Sequence, residues 1–221
     1  MNKNISLVLF VVVVLVGGWY LMSMNKESLN TSTGMQSDGN TVSENQKVLN
    51  IVSSESKASY EIYEELRGKP TTVVGNSQAI SGSVSLNKDS MMIEGGKISL
   101  DANSLKTDIA MRDENVKKMV LKSDQPGNET ISFSITGVEG ILNPISFDTN
   151  IPVKVVGDLT ISGVTKSVTF DGTVNMMQDG SMKVLASTVL SYGDFGVAVP
   201  DLPFLANVAK TTKLTVDLVA R

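Results

Sequence analysis

Gly157-Asp-Leu-Thr-Ile-Ser-Gly-Val-Thr-Lys-Ser-Val-Thr-Phe170 is the stretch on which the reading of the fold turns. Before Gly163, the residues Val153, Val155, Gly157, Leu159 and Ile161 take every second position. After it, Val164, Val168, Phe170 and Val174 do the same, while Lys154, Asp158, Thr160, Thr165, Ser167, Thr169 and Asp171 fill places between. A period of two gives each strand one buried and one wet face. Two strand segments therefore meet at Gly163, where glycine reads as a bulge or sharp bend that curves a sheet toward closure.

The same alternation extends in both directions. It recurs at Leu49 and Ile51, at Tyr60 and Ile62, and through Ile80, Gly82, Val84 and Leu86. It returns at Ile131, Phe133 and Ile135, then from Val184 to Ser191, and in Leu214, Val216, Leu218 and Ala220. Arg67-Gly68-Lys69-Pro70, Asn87 to Ser90 and Gln178-Asp179-Gly180 read as turns. Eight or more such strands predict an all-β barrel or sandwich, and the pattern alone does not choose between them. The period changes once: Asp108 to Lys122 predicts a helix with Ile109, Val116, Met119 and Val120 on one stripe. Thr107 or Asp108 suits its start, and Lys117, Lys118 and Lys122 suit its end.

The chain divides into three parts. Residues 1–24 contain Ile5 to Met24, which carries no charge and as a helix would measure about 30 Å, enough to cross a bilayer. Lys3 favours a cytoplasmic start, and Trp19 and Tyr20 suit the far interface. The alternative is a cleaved signal peptide, although no Ala-x-Ala-like site follows the apolar run. Either way the domain is expected outside the cytoplasm: held by a single-pass anchor, or secreted or periplasmic after cleavage. Residues 25–46 are a linker too polar to fold, and residues 47–221 form one domain.

Composition excludes several functions. The net charge is −4, with no basic face for nucleic acid. The absence of histidine and cysteine removes the usual transition-metal ligands and the Ser-His-Asp and Cys-His catalytic sets. No cofactor is expected, and no spacing singles out a carboxylate pair for acid–base work.

Three segments, taken in order, resemble the YceI-like, polyisoprenoid-binding family. They are Ser104-Leu105-Lys106-Thr107 with Arg112-Asp113, then Gly157-Asp158-Leu159-Thr160-Ile161-x-Gly163-Val164-Thr165-Lys166-x-Val168, and finally Asp194-Phe195-Gly196. The chain departs from the family at Ser191-Tyr192-Gly193, where a basic residue is frequent, and at Ser162, often Arg or His. The resemblance covers roughly residues 47 to 221. It implies an eight-stranded antiparallel, lipocalin-like barrel with one short helix and a long apolar lumen. It also implies a bound polyisoprenoid, quinone or similar amphiphilic lipid, with no catalysis.

A barrel of eight strands either fills its interior with its own side chains or holds one small ligand. Aromatic residues make up only 5% of the chain, which leaves few bulky rings to plug it. Under that phase of alternation the lumen candidates are Phe133, Ile135, Leu159, Ile161, Phe170, Leu190, Leu214 and Val216, with Phe195 and Phe204 near an opening. Arg112 and Asp113 read as an ion pair or loop anchor. Gly163 reads as the bend, and Asp194 and Gly196 as supports of a late loop. The competing reading is a structural or adhesive surface domain with a solid core. Pattern leaves the oligomeric state open.

Overall fold

The computed structural model describes residues 45–140, 146–200, 203 and 205–221. The expected membrane segment, almost all of the linker and Phe204 lie outside them. Among the described residues no helix is long and apolar enough to cross a membrane.

Among the described residues eleven strands form one antiparallel sheet. The first four are β1 (Gln46–Asn50), β2 (Lys57–Leu66), β3 (Lys69–Ser77) and β4 (Ile80–Asn87). Next come β5 (Ile93–Asp101), β6 (Thr130–Glu139), β7 (Ile151–Ile161) and β8 (Val164–Met176). The last are β9 (Met182–Ser191), β10 (Leu205–Ala206) and β11 (Thr211–Ala220). Neighbours run β1-β4-β5-β6-β7-β8-β9-β11-β2-β10, with β3 also on β2. The sheet curls so that the chain leaving β1 bridges the end of β11 at Ile51 and Ala220. β1 pairs with β4, and just beyond it the Asn50 N–H donates to the Arg221 carbonyl at 2.6 Å and the Val52 N–H to Val219 at 2.8 Å.

Eight strands were expected, and the larger count has a local cause. A 3-10 turn at Ser53–Glu55 separates β1 from β2, although Ile51, just after β1, bridges Ala220 of β11 and β2 pairs with the same strand. The hydroxyl of Ser56, 1% exposed, holds that break by accepting from the Val219 N–H at 3.0 Å. Gln78 and Ala79 likewise separate β3 from β4, and β10 is only two residues long.

The opening stretch folds as a hairpin, which corrects the expected bend within a curved strand. β7 and β8 pair from Ile151–Val174 to Ile161–Val164. Ser162 and Gly163 make the reversal with φ of 47° and 77°, the paired positive values of a two-residue I′ turn that matches strand twist. The Ser162 hydroxyl donates to the Leu121 carbonyl at 2.8 Å and so fastens the hairpin tip to the segment after the helix.

Alternation sorts the faces as expected for one-sided burial. Val153, Val155, Leu159 and Ile161 of β7 and Phe170, Val174 and Met176 of β8 are buried. Leu86, Met176 and Met182 are 0–1% exposed and belong to the main apolar cluster, beside the turns that join β4 to β5 and β8 to β9. The helical segment joins β5 to β6 and lies at the other end, with the β2–β3 and β7–β8 turns. It is shorter than the expected Asp108–Lys122: α1 spans Ala110–Asn115 and passes into a π turn at Val116–Val120. Thr107 does not cap it directly. Its N–H and hydroxyl both donate to Asp113 Oδ1, at 2.8 and 2.7 Å. No residue of this segment is fully buried, because its inner side faces open space.

Candidate functional site: an apolar cavity inside the sheet

The curled sheet encloses a cavity of about 390 Å³. That lies within the roughly 300–1,000 Å³ typical of small-molecule sites. Val84, Val155, Phe170, Val174, Met182 and Ala186 line it from the packed end. Ile109, Met111, Val116, Val120, Leu205 and Val208 line it at the helical end. Met111 is 75% exposed, so the cavity meets solvent there.

Among the nominated residues, Phe133, Ile135, Leu159, Ile161, Phe170, Leu190, Leu214 and Val216 all line this one space. The rings of Phe133 and Phe170 meet edge to face, with centroids 5.2 Å apart and planes at 70°. The Phe133 ring packs over Gly157, where a Cβ would stand 2.5 Å from the ring and 2.4 Å from the Ser134 carbonyl oxygen. Phe195 does not line the cavity. It is 2% exposed and packs with Leu159, Ile161 and Val197.

The motif residues have separable places. Gly163 turns the β7–β8 hairpin. Asp194 is exposed on a 3-10 turn, Tyr192–Phe195, which Gly196 ends with a φ of 69°. That turn buries Phe195. Asp113 holds Thr107. Arg112 lines the cavity, and its guanidinium reaches Asp108 at 2.5 Å and Glu64 at 3.5 Å.

Glu64 and Tyr60 are the polar residues that pattern reading missed. Both sit on β2 in phase with Ala58, Ile62 and Leu66, and all five line the cavity. A carboxylate in an apolar phase was the available signal. Tyr60 packs over Gly75, where a Cβ would stand 2.1 Å from the ring. Burial, with a smaller push from Asp113, raises the Tyr60 phenol to about 12, so it is a neutral hydrogen-bond donor at any physiological pH. Among the described residues no group of three or more His, Cys, Asp or Glu side chains is placed to hold a metal.

A curled antiparallel sheet around an apolar hollow with a few polar groups near its mouth defines an all-β fold of the lipocalin-like kind. The chain belongs to the YceI-like domain family, whose profile matches residues 49–220. The crystal structure of Burkholderia cenocepacia BcnA is similar, with a TM-score of 0.59 and 19% identity, covering 77% of this chain and 99% of that one. A polyisoprenoid-binding domain from Saccharophagus degradans, implicated in plant cell wall breakdown, gives a TM-score of 0.62 at 12% identity. That match covers 78% of this chain and 97% of the other. Among curated proteins none matches.

Proposed function

We propose that this protein is a membrane-tethered, extracytoplasmic carrier that holds a polyisoprenoid or similar amphiphilic lipid inside its lipocalin-like barrel, without chemistry. The observation that carries the reading is the 390 Å³ cavity and its almost wholly apolar lining. A prenyl tail has no polar features, so apolar wall alone suffices to hold it, at about 0.8 kcal/mol per buried carbon. The Saccharophagus domain, a polyisoprenoid binder by description, supports the same ligand class. The uncharged run from Ile5 to Met24 supports the tether. An open interior argues against the solid-core alternative.

The polar groups suit a head group without strong charge. Arg112 is already neutralised by Glu64 and Asp108, and the Tyr60 phenol faces the cavity as a donor. The test is extraction of purified full-length protein followed by mass spectrometry, then titration with prenols of increasing length. Retained prenyl lipid and affinity that climbs with each added isoprene unit are expected. Repeated recovery of lipid-free protein that takes up none of the series overturns the proposal.

A further inference from the structure

We propose that the helical end of the sheet is a docking surface for an anionic lipid bilayer, so that the cavity mouth faces the membrane from which the lipid comes. The inference rests on the carrier reading but concerns a different surface. Ile109, Met111 and Met119 are 40, 75 and 40% exposed, an unusual concentration of apolar side chains on one short segment. Met111 and Met119 stand about two turns apart along α1 and its π turn, which puts them on the same side. Ile109 and Met111 also line the cavity, so the exposed patch and the interior form one apolar path. A lipid tail moving between bilayer and cavity would not have to cross water.

Charge picks out the occupant. The chain as a whole is net −4, yet Lys106 to Lys122 carries five bases against three acids. The three acids are engaged locally: Asp108 with Arg112, Asp113 with Thr107, and Glu114 with Lys118 at 3.1 Å. Lys106, Lys117 and Lys122 have no ion-pair partner among the described residues. Apolar side chains framed by uncompensated lysines match the boundary between acyl chains and anionic head groups. The exposed apolar pair on β9 lacks this setting. Leu185 and Val189 on β9 stand beside Asp217 and Lys213 of β11, one of each sign.

The chain has no cysteine, so Met119→Cys and Val189→Cys each create a single labelling site in the full-length protein. Each labelled protein is reconstituted into phosphatidylcholine vesicles with and without phosphatidylglycerol. Collision of the nitroxide with oxygen and with a water-soluble nickel chelate then reports depth. The label at 119 is expected to favour oxygen in the anionic vesicles and the nickel chelate in neutral ones, with the label at 189 favouring nickel in both. Adding Lys117→Glu and Lys122→Glu to the 119-labelled protein is expected to lower the docked fraction by roughly tenfold. A label at 119 as water-accessible as that at 189, or equally buried in both vesicle types, overturns the inference. Lipid retention by the same labelled protein in detergent separates the two readings. Retention without docking sinks this surface alone, while docking without retention sinks the carrier.

Discussion

Arg112 of α1 meets Glu64 of β2 at 3.5 Å on the cavity wall, with side chains 16 and 10% exposed, and this contact ties the helical segment to the sheet. Removing the cation leaves a nearly buried carboxylate uncompensated. Arg112→Ala should therefore cost about 2 kcal/mol, below the ~3–5 kcal/mol of a fully buried pair because this one is long and partly wet. Asp108→Ala should cost under about 1 kcal/mol, since its carboxylate is 79% exposed. Urea denaturation of both variants checks the ranking, and equal losses would contradict it.

Tyr60 makes stability fall at high pH. Its phenol is raised to about 12 from an ordinary 10, so the folded state keeps its proton where the unfolded chain loses it. The contribution is complete below pH ~10 and disappears between pH ~10 and ~12, amounting to roughly 3 kcal/mol. Absorbance titration at alkaline pH should show a late step from Tyr60, and Tyr60→Phe should remove that step. A late step that survives in Tyr60→Phe assigns it elsewhere.

Gly75 tests the floor beneath that ring. In Gly75→Ala the three atoms nearest the new methyl all belong to the Tyr60 side chain, which must swing away. The expected cost is about 1–3 kcal/mol, with weaker ligand uptake as the ring enters the cavity. Tyr60→Ala should rescue most of the stability, read as coupling in a double-mutant cycle. Additive losses would mean that the ring does not rest on Gly75.

Filling and emptying the interior should act oppositely. Leu214→Trp adds bulk on the cavity wall, and should block lipid uptake while changing stability by less than about 1 kcal/mol. The same addition to a solid core costs ~1–3 kcal/mol. Met176→Ala, at a site 0% exposed and away from the cavity lining, should cost about 2–5 kcal/mol yet leave uptake intact. Thermal melts and prenol binding on both variants separate the two roles.

Much of the sheet was legible because a period of two depends only on local side-chain direction. Its strand count was not, because the break at Ser53–Glu55 is held by Ser56 and Val219, 163 positions apart. The glycine at 163 shows a different limit. A bulged strand and a two-residue hairpin both shift the apolar phase from odd to even positions, and only the pairing of β7 with β8 tells them apart. Eight lumen candidates came together because phase persists along each strand. Phe195 did not join them, because the turn ended by Gly196 packs it with Leu159, Ile161 and Val197, off the cavity surface. Glu64 was in plain sight in the alternation, but its meaning rests on Arg112, 48 residues later.

The seam where Asn50 and Val52 bond to Arg221 and Val219 also sets a schedule for biogenesis. A folding chain can zip its successive hairpins early, but the seam must wait until β11 is in place. Until then the greasy inner wall stands open to solvent and to neighbouring chains. Such distant pairing is slow to form. The interval before closure is thus the one in which the chain is most open to aggregation, and a partner that shields the unsealed sheet should raise the folded yield.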